Sequence, residues 1–146
     1  PWPVRITDAV TVAAWVRLDA LVPNNIIVAK TGRYGEGEFL LYVNESGRLT
    51  GRIMNGLDET TVTGRQLELG RWYFVAMVWT PERLTLYCDG EAVGGNKGYA
   101  GKIGLTDQPL LLGGGAYAGG VIGAIDDVTI GNYAMTPAEI KELMRK

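Results

Sequence analysis

The chain has 146 residues, 14 basic against 16 acidic, a formal net charge of −2 and no histidine. That length suits one domain with a core of its own and no need of metal or disulfide staples, and 21 glycines among ordinary charged and apolar fractions point to many tight turns rather than to disorder. A lone cysteine without histidine excludes His-based triads, Cys–His nucleophiles and tetrahedral zinc; the missing basic run argues against nucleic acid, and no apolar run reaches the length of a membrane span.

The opening "PWPVRITDAV" carries no secretory signal and starts as an excised module of a longer protein would. Val10, Val12, Ala14, Val16 and Leu18 then alternate with Thr11, Ala13, Trp15 and Arg17, the period of a strand. Further strands are expected at Ile26 to Lys30, Glu38 to Val43, Leu49 to Met54 and Glu59 to Thr63, separated by the turn-rich "LVPNN", "TGRYGEG", "NESG" and "NGLD". Residues 72 to 79 are apolar almost without a break, which suits a strand covered on both faces. Trp72 and Trp79 are accordingly read as core, since large aromatics supply much of a sandwich interior. Past the turn Thr80 to Arg83, Leu84, Leu86 and Cys88 share one strand face while Thr85 and Tyr87 take the other, so Cys88 reads as a buried small apolar group. Asp89-Gly90 suits a two-residue hairpin turn with a return strand from Glu91 to Val93. Leu110 to Gly113 and Val121 to Ile130 are the last strands, on either side of "GGGAYAGG". "MTPAEIKELM" has Thr136 as cap, Pro137 at the first helical position, Glu139 where a capping box needs a carboxylate, and an apolar stripe of Ile140, Leu143 and Met144. Short strands without intervening helices predict one all-β domain over residues 1–146, an antiparallel β-sandwich with a short C-terminal helix docked across it.

Tyr34 in "TGRYGEGE", Tyr99 in "NKGYAGK" and Tyr117 in "GAYAGG" lie among small residues that cannot bury them locally. Sugar rings present apolar C–H faces beside hydroxyls, so they stack on an aromatic while polar side chains bond the rim. Arg33, Glu36, Asn55 and Asp58 are the candidate polar partners, and Tyr34 leads because Arg33 and Glu36 share its loop. The alternative is that each tyrosine lies over the end of the sandwich and packs there. Asp126-Asp127 is the notable acidic pair, and adjacent strand residues are expected on opposite faces. The glycines of "GGGAYAGG" make no phosphate cradle, because no Gly-Lys-Ser/Thr follows.

Three segments carry a family resemblance that covers nearly the whole chain. "VTVAAWVRLD" resembles the early strand, "LGRWYFVAMVWTPERLTLYCDGEAV" the central hairpin with its Tyr-x-Asp-Gly turn, and "GAIDDVTIGNYAMTPAEI" the closing strand and helix of the laminin-G-like, concanavalin A-like lectin/glucanase jelly-roll family. The resemblance implies two curved antiparallel sheets in a module of a larger secreted or cell-surface protein, hence an extracellular or cell-surface location. It implies that the loops of Tyr34, Tyr99 and Tyr117 gather at one end. It also implies a structural Ca2+ with Asp126 as the preferred ligand beside carbonyls of the opening segment, the alternative being a carboxylate that accepts backbone hydrogen bonds. The acidic calcium cluster of the pentraxins would fall in "GGGAYAGG", which has neither carboxylate nor side-chain amide. Glucanases of this fold set their catalytic carboxylates along one strand as Glu-x-Asp-x-x-Glu, a pattern this sequence lacks. The expectation is a noncatalytic carbohydrate-binding, lectin-like module whose partners are a glycan and other domains of the parent chain; the alternative is a protein-adhesion or structural laminin-G-like domain without a sugar ligand.

Overall fold

The computed structural model describes residues 9–31, 37–55, 58–97, 110–113 and 120–146. Along them run β1 (Val10–Ala20), β2 (Asn24–Thr31), β3 (Gly37–Asn44), β4 (Arg48–Asn55), β5 (Asp58–Gln66), β6 (Trp72–Thr80), β7 (Arg83–Cys88), β8 (Glu91–Lys97), β9 (Leu111–Leu112), β10 (Ile122–Gly131) and α1 (Pro137–Met144). The strands form two antiparallel sheets of five, in the orders β10-β1-β6-β7-β8 and β5-β4-β3-β2-β9. The strands and the helix expected from sequence are present, with β5 and β8 running farther than their apolar pattern indicates.

Alternation decides what each strand buries. Val10, Val12, Ala14, Val16 and Leu18 of β1 face the opposing sheet and meet Phe39, Leu41 and Ile53 in the main core. The continuous apolar run of β6 has two destinations: Tyr73, Val75, Met77 and Trp79 enter the sandwich, while Phe74, Ala76 and Val78 lie on the outer face beneath α1 and its buried Ile140. From Tyr73 to Trp79 both faces of the strand are therefore dry, which is why it lacks the polar alternation of a half-solvated strand. Asp89 (φ 52) and Gly90 (φ 85) form the hairpin turn into β8.

The helix is fixed at its start. Thr136 Oγ1 accepts from the Glu139 N–H at 3.2 Å and Glu139 Oε1 accepts from the Thr136 N–H at 3.0 Å, the reciprocal capping box. Thr11 Oγ1, buried in β1, donates to the Tyr133 carbonyl at 2.7 Å and accepts from the Met135 N–H at 3.0 Å, tying the segment before the helix to the sheet.

One core assignment is corrected. Trp79 is fully buried, but Trp72 is 40 % exposed. Trp72 lies two residues before Phe74 on the outer face of β6, directly across from Arg17 of β1. An eight-residue helix is about 12 Å long, whereas nine strand residues span about 30 Å, so α1 leaves one end of the outer face bare. Trp72 stands at that end with the Arg17 guanidinium 5.3 Å from its ring centroid.

Cys88 is buried in the main core as expected. Burial, and secondarily the Asp89 carboxylate, push its thiol from 9.0 up to about 11. The thiolate is the reacting species, so alkylation by iodoacetamide at pH 8 is expected to be at least about 100-fold slower in the native protein than in urea. Mass spectrometry of the modified chain against time checks this; equal rates would show an accessible thiol.

Candidate functional site

The strand directions collect several turns at one end of the β5-β4-β3-β2-β9 sheet. The β2–β3 connection, which carries Arg33, Tyr34 and Glu36, leaves from Thr31 and returns at Gly37. At the same end β4 passes into β5, where Asn55 and Asp58 face each other directly across the turn. The segment with Tyr99 begins after Lys97 and re-enters at β9, whose Leu111 pairs with Ala29 near that end of β2. The residues that flank Tyr117 lie farther back along β2: the Gly113 N–H donates to the Ile27 carbonyl at 2.8 Å, and Gly120 bridges to Ile26. Arg33, Tyr34, Glu36, Tyr99 and Tyr117 themselves lie outside the described residues, as do the side chains of Asn55 and Asp58.

Next to the β4–β5 turn the outer face of this sheet carries a polar array that the sequence reading did not single out. Gly51 and Ile53 point inward, so Arg52 points out. Its Nη2 donates to Tyr42 Oη at 3.2 Å, its Nε donates to Thr61 Oγ1 at 3.3 Å, and its guanidinium carbon lies 5.7 Å from the Tyr42 ring centroid. Glu59 Oε2 is 3.9 Å from Nε. Thr61 is the cross-strand neighbour of Arg52, so the sheet register brings these groups together. Tyr42 is only 7 % exposed and anchors the guanidinium, while Arg52 and Glu59 remain open to solvent. A planar fork held from two sides loses little further freedom when it meets a ligand oxygen. The available signal is a charged residue at the solvent-facing parity of the strand Leu49 to Met54, next to the inward Ile53.

Asp126 occupies a different surface, the outer face of the other sheet, directly across from Trp15. The expectation that Asp126 and Asp127 point to opposite faces is corrected. Between Ala13 and Trp15 the β1–β10 register shifts by one residue, and Asp127 adopts φ 50. That is a β-bulge. Ile125 and Val128 both pack on the main core, while Asp126 and Asp127 between them both stay exposed. Strict alternation would have driven a carboxylate into the apolar interior at a cost of several kcal/mol; the extra residue avoids it. The Asp127 N–H donates to Asp126 Oδ1 at 2.8 Å. Among the described residues no three His, Cys, Asp or Glu side chains converge as a metal site, and the opening segment that the calcium expectation draws on, residues 1–8, lies outside them. No helix among them is long and apolar enough to cross a membrane.

Residues 3–141 match the family model described as the concanavalin A-like lectin/glucanases superfamily. Among solved structures, a Bacteroides ovatus protein matches with a TM-score of 0.76 at 20% identity over 97% of this chain and 42% of its own. The chain thus spans less than half of that protein. The CBM40 of the Ruminococcus gnavus IT-sialidase, bound to α2,3-sialyllactose, matches with a TM-score of 0.75 at 14% identity over 94% of this chain and 83% of its own. Domain 4 of AbnA, an extracellular GH43 arabinanase of Geobacillus stearothermophilus in complex with arabinotriose, matches with a TM-score of 0.71 at 15% identity over 95% of this chain and 68% of its own. No curated protein sequence matches the chain. At these identities the structural matches establish the sandwich fold, to which they add nothing about individual residues.

Proposed function

Because the chain belongs to the concanavalin A-like lectin/glucanases superfamily, we propose that it is a noncatalytic, extracellular carbohydrate-binding module that takes a glycan at the end of the sheet where the β2–β3 and β4–β5 turns lie. The observation that supports this most is Arg52, whose guanidinium is held against Tyr42 and Thr61 with the Glu59 carboxylate beside it. A fixed fork next to a carboxylate offers donors and acceptors at one place, as a ring of hydroxyls requires. Tyr34 supplies the stacking surface in this reading, with Arg33, Glu36, Asn55 and Asp58 at the rim. Two modules of the same fold are described with a bound oligosaccharide, which is the ligand class proposed. A single structural calcium at Asp126, completed by backbone carbonyls, is an alternative use of that carboxylate.

A glycan array followed by calorimetry tests the reading. A shallow site that must order a polar ligand is expected to bind with a Kd between roughly 1 mM and roughly 1 μM, about 4 to 8 kcal/mol. Tyr34→Ala and Arg52→Ala should each weaken binding about tenfold, the loss of one stacking or charge-assisted contact, while the melting temperature moves little. Repeating the melt with calcium and with EDTA checks the ion, since a ligand of the native state raises the transition. A parent domain that binds no glycan would move the reading to a protein-adhesion or spacer role.

A further inference from the structure

The bare end of the outer face beside α1 has a composition that the site above does not use. Trp72, Trp15, Asp126 and Asp127 line a recess of about 270 Å³. The sheet register builds it: Trp15 is paired with Phe74 on one side and Asp126 on the other, and Trp72 is paired with Arg17. Trp15 leans on Phe74 with the ring centroids 5.3 Å apart, and Trp72 is held under the Arg17 guanidinium. Arg17 is itself fixed by Asp19, with Nε to Oδ1 at 3.0 Å and Nη2 to Oδ2 at 3.2 Å. Two indoles are thus positioned by packing rather than free to collapse on each other.

We infer that this recess is a second binding site, for one ring of a neutral glycan. The charge arrangement excludes acidic ligands. An anionic sugar would face the carboxylates of Asp126 and Asp127, while Arg17 is paired with Asp19 and stands outside the lining. A neutral ring meets no like charge: its hydroxyls donate to the two aspartates and its C–H face lies on the indoles. The bulge is what makes this possible, because it turns both aspartates outward toward the same recess instead of burying one. The site is on the opposite sheet from Arg52, so it stands or falls separately from the site proposed above.

The test is a ¹H–¹⁵N titration of the whole chain in EDTA with cellotetraose, xylotetraose, mannotetraose and arabinotriose, and with 3′-sialyllactose as the acidic comparison. The indole N–H signals are assigned by single Trp→Phe variants. The expected result is that at least one neutral oligosaccharide shifts the Trp15 and Trp72 signals and the acidic one does not. Trp72→Ala should reduce that affinity about tenfold or more. Asp126→Asn and Asp127→Asn should reduce it several-fold; both are isosteric, and Asn tolerates the left-handed backbone of residue 127, so a loss cannot be laid to a collapsed bulge. Tyr34→Ala and Arg52→Ala should leave it unchanged. The inference is overturned if no neutral sugar moves these two indoles, if the acidic sugar moves them equally, if the asparagine variants bind as the parent does, or if the signal depends on Tyr34 or Arg52. Binding that vanishes in EDTA overturns it too, since the aspartates would then act through a metal.

Discussion

Trp79→Ala is expected to lower the unfolding free energy by about 3 to 5 kcal/mol, the range for large aromatics truncated in a core, whereas Trp72→Ala should cost about 1 kcal/mol or less. The two residues belong to one strand and the same apolar run, but they have different surroundings. Trp79 is fully buried between the sheets, with Val10 and Leu84 as its strand neighbours. Its removal leaves a void that the flanking strands cannot close without breaking their ladders, so the cavity adds to the lost transfer energy. Trp72 is on the outer face with one ring surface under Arg17 and the rest partly wet; truncation loses a cation–π contact and some exposed area. Against a total stability of about 5 to 15 kcal/mol, the first change is a large fraction and the second a small one. Urea denaturation of the two variants and the parent provides the comparison. Coincident midpoints for Trp79→Ala and the parent would contradict the burial, and a loss for Trp72→Ala as large as for Trp79→Ala would mean that the outer face is covered.

Much of the fold is legible in the sequence because it is written in local signals. The alternation of β1, the unbroken run of β6, the Asp89-Gly90 turn and the Thr136/Glu139 capping box each depend on residues within a few positions of one another. The two corrections come from relations that local patterns do not contain. Whether Trp72 is covered depends on where an eight-residue helix some 65 positions later ends. The bulge that turns Asp127 outward depends on the register between β1 and β10, more than 100 residues apart in sequence. A rule of strict alternation therefore misplaces Asp127, and a rule of continuous apolarity misplaces Trp72. Arg52 shows the complementary case. Its parity is readable, but that it meets Tyr42 and Thr61 follows only from the pairing of β4 with its two neighbours.

Gly123→Ala is expected to destabilise the protein by about 3 kcal/mol, at the upper end for added bulk in a packed structure. Gly123 of β10 pairs with Leu18, one step from a second register shift, between Leu18 and Ala20 of β1. A Cβ there would lie 1.9 Å from the Arg17 carbonyl oxygen and 2.9 Å from its carbon. Both atoms are backbone, so no side chain can rotate away; relief requires β10 to draw back from β1. The natural control is Gly70→Ala, where φ is +79 but a Cβ would meet nothing within 4 Å. That change should cost only the conformational penalty of a left-handed residue, about 1 to 2 kcal/mol. Gly123 has φ +154, so the difference between the two reports the clash together with the added strain of that backbone angle. Because β10 also carries Asp126 opposite Trp15, withdrawal of the strand at Gly123 should loosen the pairing that follows it. Amide hydrogen exchange in Gly123→Ala is accordingly expected to accelerate through Ala124 and Ile125 and in the facing residues Val16 and Arg17, while β3 and β4 in the other sheet keep the protection of the parent after correction for global stability. Uniform acceleration across both sheets, or a free-energy loss no greater than that of Gly70→Ala, would show that β1 and β10 are not held this closely.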